Sequence, residues 1–158
     1  MASVALGSWL WVSFGKGRPF LAPAYEAVRV IDGDTFVTKE GQYIRVASTE
    51  APEPNRCGGQ DAKEELEKLV LDKPIYLKVV YRDPYQRLVS FVYSGNVFVN
   101  EVMLEGGLAY YSRSSPGEIG EELKAATEKA RQEKKGIFST SCTQLANPKQ
   151  PKCNIKGN

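Results

Sequence analysis

Three consecutive runs of β-branched and aromatic residues restrict the fold of this chain more than any other feature. They cover residues 25–31, 35–39 and 43–47, and a glycine-containing turn separates each run from the next. Such side chains pack well on a pleated surface, and glycine permits tight turns between short antiparallel strands. The pattern predicts a three-stranded β-meander at the start of the folded region.

A helix and two further strands are predicted after the meander. Apolar residues at helical spacing predict a helix over residues 60–71, which ends before Pro74. Strands are predicted over residues 75–81 and 87–93, and a turn then leads to an extended segment at 97–99. The helix therefore lies between the third and fourth strands of the series.

Two more helices are predicted in the last third of the chain. Asn100 is expected to cap a short helix that ends at Gly106. The next helix is expected to begin with a capping box, in which Ser115 is the N-cap, Pro116 the first helical residue and Glu118 the third. Five or so strands with these helices predict a small closed β-barrel of the α+β class.

The chain is predicted to form one domain between two terminal segments. Its length is 158 residues, with 42% hydrophobic and 25% charged residues, as in ordinary globular proteins. We interpret residues 1–22 as an apolar leader, 23–138 as the folded domain and 139–158 as a tail. The apolar run at 4–14 is too short to span a bilayer. Two interpretations stay open, a trimmed signal or anchor remnant and an N-terminal strand or helix packed on the domain.

The absence of histidine limits the chemistry available to the chain. With no His in the sequence, Ser-His and Cys-His nucleophiles, histidine bases and histidine-ligated zinc are excluded. Acid–base chemistry must use carboxylates, Lys, Tyr, Cys or metal-bound water. The formal net charge is +2, from 21 basic and 19 acidic residues, so a polyanionic partner is favoured only where the basic residues cluster.

The three cysteines do not decide by themselves whether the chain contains a disulfide. Cys57, Cys142 and Cys153 form no C-x-x-C pair, which excludes a thiol-rich zinc site and a thioredoxin-type motif. Cys142 and Cys153 lie close together in the tail and could form a disulfide, which would indicate an oxidising compartment. Three free thiols are an equally acceptable interpretation.

A few charged residues interrupt apolar strands and loops, and they are the candidates for chemistry. In isolation each has an ordinary explanation, because Asp-Gly favours tight turns, loop glutamates are commonly exposed, and a strand arginine can face solvent or pair with a carboxylate. As a set, two arginines and several carboxylates without histidine match what phosphodiester cleavage requires. These positions are Asp32-Gly33-Asp34, Arg45, Glu50, Glu53 and Arg87.

The chemistry of phosphodiester cleavage explains this choice of residue types. An attacked phosphate accumulates negative charge, and two guanidinium groups can stabilise it with forked hydrogen bonds that lysine does not reproduce. A hard divalent cation held by carboxylate oxygens would neutralise the remaining charge and polarise water. A further carboxylate could orient or deprotonate that water.

The order and spacing of several motifs resemble those of the thermonuclease family, the staphylococcal-nuclease-like proteins. The resemblance covers about residues 24–138 and is carried by VRVIDGDTF, STEAPE after Arg45, GGQDAKEELEKLV, DPYQRLVSFVY, VNEVMLEGGLAYY and the segment from EEL to KKGIF. It implies a five-stranded OB-type barrel with three helices. It also implies a Ca²⁺-dependent endonuclease that cuts DNA and RNA with little sequence specificity and leaves 3′-phosphate ends.

The resemblance also implies a metal site. Asp34 matches the metal-binding aspartate of the family's DGDT motif, with Asp32 in support. Glu50 stands where the family usually has a second metal-ligating aspartate, and the carbonyl of Ala51 matches a backbone ligand. The extra methylene of Glu50 shifts its carboxylate by about one bond length. A flexible Ca²⁺ site tolerates such a shift better than an octahedral Mg²⁺ site does.

The remaining catalytic positions follow from the same resemblance. Glu53 matches the general base for water, and Arg45 and Arg87 match the pair that binds the phosphate. Tyr85 matches a tyrosine near the nucleotide phosphate. The family has a further tyrosine, later in the chain, that stacks on the substrate. Either Tyr110 or Tyr111 could correspond to it, so both are candidate substrate-binding residues.

The expected partners are DNA and RNA, preferably single-stranded or denatured, with no small-molecule cofactor and a monomeric protein. The expected location is secreted or extracytoplasmic, with a membrane anchor in the precursor as one possibility. A catalytically silent OB-fold module that binds nucleic acid is the alternative function. A third interpretation is an extracellular structural domain in which the carboxylates hold a stabilising calcium ion.

Overall fold

The computed structural model describes residues 24–112 and 117–143. The strands within these ranges are β1 (Tyr25–Val30), β2 (Thr35–Thr38), β3 (Tyr43–Val46), β4 (Thr49–Glu50), β5 (Pro74–Arg82), β6 (Leu88–Ser94), β7 (Val97–Phe98) and β8 (Tyr110–Tyr111). The helices are α1 (Gly59–Val70), α2 (Val99–Glu105), α3 (Glu118–Gln132) and α4 (Thr140–Thr143), with a 3₁₀ turn at Gly136–Phe138. The predicted meander, the helix before Pro74 and the two strands that follow are all confirmed, with ends that differ by one or two residues.

Five strands close into a barrel. β2 pairs antiparallel with β1 and β3, β1 pairs antiparallel with β5, and β5 pairs antiparallel with β6. The parallel pairing of β3 with β6 closes the barrel. The prediction of an α+β protein with a five-stranded OB-type barrel and three main helices is confirmed.

The core has two main parts, one on each side of the barrel wall. The barrel interior is filled by apolar side chains such as Phe36, Ile44 and Ile75, and α1 contributes Leu66 to the same cluster. A second cluster packs α2 and α3 against the outer side of β6 and includes Val89, Phe91, Leu104 and Leu123. The helices therefore cover part of the outer face of the β3–β6 pair.

Asn100 is not a helix cap, contrary to the prediction. Helix α2 begins at Val99, and Asn100 is fully buried within its first turn. Its Oδ1 accepts a hydrogen bond of 2.8 Å from the backbone N–H of Val92, and its Nδ2 donates one of 2.7 Å to the carbonyl of Ala47. A buried amide is stable only with its hydrogen bonds made, so Asn100 joins α2 to β6 and to the segment after β3.

The predicted capping box at the start of α3 is also wrong. The helix begins at Glu118, and its N-cap is Gly117 at a φ of 85°, a conformation that glycine adopts without strain. Glu118 is therefore the first helical residue and not the third. Ser115 and Pro116 lie outside the described residues.

The disulfide joins a different pair of cysteines from the one considered above. Cys57 and Cys142 are bonded, with their Cα atoms 5.5 Å apart. The bond ties the turn before α1 to α4, across 85 residues of sequence. Cys153 and the apolar leader at residues 1–22 lie outside the described residues. Within residues 24–112 and 117–143, no helix has the length and apolar character needed to cross a bilayer.

Candidate active site

Asp34 is the buried carboxylate at the centre of the site. It follows the turn between β1 and β2, in which Asp32 Oδ1 accepts a hydrogen bond of 3.0 Å from the Asp34 backbone. Its Oδ1 accepts hydrogen bonds from Arg45 Nη1 and, at 2.9 Å, from Thr35 Oγ1, and its Oδ2 accepts one of 2.9 Å from the Ala51 backbone. Burial raises the pKa of Asp34 to about 6, although Arg45 acts in the opposite direction.

Gly33 allows the loop that carries Asp34 to approach its neighbours closely. A Cβ atom at this position would lie 2.5 Å from the Cβ of Ala62 and 2.6 Å from the Cβ of Ala51. Both distances are shorter than any packed side chains adopt, so the position accepts no side chain without movement. Glycine is therefore required here for space, where the sequence had suggested tight-turn geometry.

Arg45 lies between two carboxylates. It projects from β3, and its guanidinium contacts Asp34 through Nη1 and Glu50 through Nη2, the latter at 2.5 Å. Asp34 is buried and Glu50 is exposed, so the arginine links the interior of the loop to its surface. Nη2 also approaches the carbonyl of Thr49 at 3.5 Å. These contacts fix the position of the Arg45 guanidinium between the two carboxylates.

Glu53 is an exposed carboxylate three residues after Glu50. Among the residues that the structure describes, its carboxylate makes no hydrogen bond or ion pair. Its backbone is held firmly, because its carbonyl accepts a hydrogen bond of 2.8 Å from Arg56 N and lies against Gly59, where a Cβ atom would come within 1.9 Å of it. The same turn contains Cys57, which is bonded to Cys142. A fixed backbone and a free carboxylate suit a group that must accept a proton from solvent.

Asp83 positions Arg87. The Nε of Arg87 donates a hydrogen bond of 2.7 Å to Asp83 Oδ2, while Asp83 Oδ1 accepts 2.9 and 3.0 Å hydrogen bonds from the backbones of Arg87 and Tyr85. Burial works against ionisation of Asp83, but these hydrogen bonds outweigh it and lower its pKa. Within the described chain, Nη1 and Nη2 of Arg87 have no partner. They are therefore available as a two-pronged donor.

The two arginines share one face of the sheet. In the parallel β3–β6 pair, Arg45 lies opposite Val89. Ile44 and Val46 face the barrel interior, so Arg45 between them faces outward. Arg87 lies two residues before Val89 and therefore projects on the same outer side. Barrel closure brings the two positions together, although they are far apart in sequence.

The three predicted substrate-binding tyrosines differ in their surroundings. Tyr85 is the most exposed, and its ring centroid lies 5.4 Å from the Arg87 guanidinium carbon. Tyr110 pairs with Glu50 across β4 and β8 and is also exposed, with Phe138 against the edge of its ring. Tyr111 instead packs against the second core cluster. Tyr85 and Tyr110 are thus the two of this set that the fold presents to solvent.

The oxygen atoms around Asp34 have the donor chemistry of a hard-cation site. Asp32, Asp34 and Glu50 supply carboxylates, and the Ala51 backbone N–H donates a hydrogen bond to Asp34 Oδ2. Carboxylate and carbonyl oxygens are the ligands that Ca²⁺ and Mg²⁺ prefer. Residues 24–112 and 117–143 contain no group of three or more His, Cys, Asp or Glu side chains arranged to hold a metal ion. By their chemistry these donor types suit a hard cation, but among the described residues they are not grouped as a metal site, and the Arg45 guanidinium lies between Asp34 and Glu50.

Asp83 is the residue of the site that the sequence reasoning missed. Its signal was present, because an acidic residue stands four positions before Arg87 in an Asp-Pro turn. An Asp at the start of a turn commonly accepts hydrogen bonds from the backbone two or more residues on. The sequence gives no indication that the same carboxylate also reaches the arginine side chain.

The closed barrel defines an OB-type α+β protein that carries acidic residues and arginines on the outer side of the β3–β6 pair. The family model described as staphylococcal nuclease homologue matches residues 43–140. The chain therefore belongs to the staphylococcal nuclease homologue family.

Several curated proteins are similar to this chain. The staphylococcal-like nuclease CAN1 of Arabidopsis thaliana is 33% identical over 108 residues, which cover 68% of this chain and 31% of the plant protein. An uncharacterized endonuclease of Escherichia coli O157:H7 is 30% identical over 117 residues, covering 71% of this chain and 74% of the bacterial protein. The probable endonuclease LCL3 of Colletotrichum graminicola is 33% identical over 120 residues, 67% of this chain and 44% of its own length. The chain thus spans about a third of the plant relative and about three quarters of the bacterial one.

Proposed function

We propose that this protein is a metal-dependent endonuclease that hydrolyses the phosphodiester bonds of DNA and RNA with little sequence specificity. The observation that carries the proposal is the placement of Arg45 and Arg87 on one outer face, with the Arg45 guanidinium bonded to the buried carboxylate of Asp34. Family membership and the names of the similar proteins support it.

Asp34 and Glu50, with the Ala51 carbonyl and Asp32 in support, are the residues that would hold the metal ion. The proposed ion is Ca²⁺, because its flexible oxygen coordination tolerates glutamate in place of aspartate at position 50. When bound, the ion would supply positive charge to the phosphate and polarise water. Asp34 is fixed for this role by its hydrogen bonds to the Thr35 hydroxyl and the Ala51 backbone.

The two arginines would bind the scissile phosphate. Arg87 offers both Nη atoms, because Asp83 holds its Nε, and a forked guanidinium matches two phosphate oxygens. Arg45, which is held by Asp34, would contribute positive charge on the opposite side of the phosphate. These donors would stabilise the negative charge that develops in the transition state, since their geometry is fixed before the substrate binds.

Glu53 is the proposed general base. It would accept a proton from the attacking water as the new P–O bond forms in line with the departing 5′ oxygen, which leaves a 3′-phosphate. Arg87 would stabilise that departing oxygen. The exposure of the Glu53 carboxylate and its lack of a partner within the described chain leave it free to act on water.

We propose single-stranded or denatured nucleic acid as the substrate and a secreted or extracytoplasmic location. The exposed rings of Tyr85 and Tyr110 beside the charged residues suit unpaired bases. The Cys57–Cys142 disulfide supports an oxidising compartment, because such bonds are rare in reducing ones.

The test is digestion of denatured DNA and of RNA with Ca²⁺, Mg²⁺, Mn²⁺ or EDTA, followed by analysis of the product ends. Ca²⁺-dependent cleavage that leaves 3′-phosphates is the expected result. Folded protein that cleaves with none of these metals would contradict the proposal. If it still binds oligonucleotides, the function is that of a binding module, and Glu50 is the first position to exchange for aspartate.

A further inference from the structure

Two tyrosines beside Arg87 have exposed rings that the proposed reaction does not use. Tyr43 of β3 is 43% exposed and Tyr81 of β5 is 47% exposed. Tyr85, in the turn between β5 and β6, is 81% exposed. Single exposed aromatic residues are common on protein surfaces, but a group of them on one face commonly marks a binding surface.

The strand register places both tyrosines next to Arg87. Ile44 lies opposite Leu88, so Tyr43, one residue earlier, lies beside Arg87. On the other side of β6, Tyr81 lies opposite Val89, on the same outer face as Arg87. Neighbouring strands are about 4.8 Å apart, so the two tyrosines flank Arg87 within the length of one or two nucleotides.

A β-bulge in β5 is the reason that Tyr81 faces outward. Val79 lies opposite Ser90, and Tyr81 lies opposite Val89, which leaves Val80 as the extra residue. In a regular pairing Val80 would lie opposite Val89, and Tyr81 would project to the inner side. Bulges commonly redirect a side chain next to a functional site. The bulge therefore places the ring of Tyr81, and not the side chain of Val80, on the face that carries the arginines.

Positive charge alternates with these rings. The guanidinium of Arg87 lies over the Tyr85 ring, and Lys78 of β5 extends over the buried ring of Phe91, 6.0 Å from its centroid, on the same outer face. Rings that stack on bases, interleaved with cations that contact phosphates, are the surface that binds single-stranded nucleic acid. The bases of a duplex are already stacked on each other and cannot reach such rings.

We propose that Tyr43, Tyr81 and Lys78 form a stacking subsite for the unpaired nucleotides that flank the scissile phosphate, and that this subsite gives the protein its preference for single strands. The inference rests on the nuclease function proposed above. Tyr43 and Tyr81 act through binding, since neither ring lies among the groups assigned to water, metal or the scissile phosphate.

The experiment compares Tyr43→Ala, Tyr81→Ala and the double variant with Tyr43→Phe and Tyr81→Phe, which keep the rings. Val97→Ala is the matched control, because Val97 is an apolar side chain of β7 with 41% exposure outside this face. The first measurement is the Kd of a labelled single-stranded oligonucleotide in EDTA, with the duplex of the same sequence in parallel. The second is kcat and KM on both substrates.

Each alanine variant is expected to weaken single-strand binding by about 5- to 150-fold, the range for loss of one base–aromatic stack, while duplex binding changes by less than about 2-fold. The phenylalanine variants should bind like the original protein, and the loss in cleavage should appear mainly in KM. Equal losses on single strands and duplex, or none on either, would overturn the subsite. Because binding is measured without metal, it can succeed or fail independently of cleavage. Unchanged thermal unfolding midpoints verify that the variants are folded.

Discussion

Asp83 holds Arg87 by two hydrogen bonds, one of 2.7 Å to the side-chain Nε and one of 2.9 Å to the backbone N–H. A single carboxylate thereby fixes both the turn and the direction of the guanidinium. With Nε bonded to Asp83, the two Nη atoms of Arg87 have no hydrogen-bond partner among the described residues. The orientation of the Arg87 guanidinium is therefore a property of the hairpin between β5 and β6.

Replacing this carboxylate should damage the proposed activity without removing a reacting group. We expect Asp83→Asn to lower kcat/KM by up to ~100-fold, since small errors in the position of a catalytic group have effects of that size. Asp61→Asn, an exposed aspartate on α1, is the matched control and should have no effect. Steady-state kinetics on denatured DNA measure both. Full activity of Asp83→Asn would show that Arg87 is oriented by other contacts.

The lowered pKa of Asp83 predicts a pH-dependent contribution to stability. Its folded-state pKa lies below the ordinary value of 3.8, so the ionised form contributes stability that is present above pH 3.8. That stability is lost as the pH falls through the folded-state pKa, when the carboxylate is protonated. Urea unfolding of the original protein and of Asp83→Asn should therefore show a difference in unfolding free energy at pH 6 that shrinks towards pH 3. A difference that does not change with pH would rule out this linkage.

Glu53→Gln tests the role of the proposed base independently of metal binding. The variant keeps the shape of the side chain but cannot accept a proton, so we expect turnover to fall by ~10²–10⁴-fold. Ca²⁺ affinity, measured by calorimetry, should change little because Glu53 is not one of the proposed ligands. Glu64→Gln, an exposed glutamate on α1, serves as the control. An active Glu53→Gln variant would remove Glu53 from the reaction.

Gly33→Ala should act through steric overlap with Ala62. Because the new Cβ would lie 2.5 Å from the Cβ of Ala62, we expect a loss of roughly 1–3 kcal/mol in the free energy of unfolding. Ala62→Gly removes one of the two clashing atoms, so the double variant should be more stable than the sum of the single effects predicts. Denaturant unfolding of the four proteins gives this coupling. Simple additivity would mean that Gly33 is needed for another reason.

Reduction of the Cys57–Cys142 disulfide should destabilise the protein and loosen the turn that follows Glu53. For bonded residues 85 apart in sequence, the chain-entropy estimate is about 4.6 kcal/mol. Urea unfolding with and without dithiothreitol measures the effect. The Cys57→Ser, Cys142→Ser double variant should unfold at a similarly low urea concentration and should not respond to the reductant. If the reductant lowers the stability of that variant as well, the loss does not come from this bond.

Local patterns predicted the elements of the fold well and their ends less well. The strands and α1 follow from side-chain alternation, helical spacing and turn residues, which act over a few positions. Asn100 looked like a cap by the same local rules, but burial against β6 determined its role. The structure begins α3 at Glu118 with Gly117 as its N-cap, where the sequence pattern had favoured Ser115. Caps and buried polar residues depend on what packs around them, which a short sequence window does not contain.

By itself, the sequence determined which residue types are available for chemistry and which strands carry them. Without histidine, acid–base chemistry was restricted to carboxylates, Lys, Tyr, Cys or metal-bound water, and the resemblance to the thermonuclease family selected Asp34, Glu53 and the two arginines. Only the tertiary structure decided the pairings: Arg45 between Asp34 and Glu50, Asp83 on Arg87, and Cys57 with Cys142. Alternation along a strand sets the side on which a residue projects. The identity of its partner depends on barrel closure, because the parallel β3–β6 pairing and the bulge in β5 bring together residues that no local pattern connects.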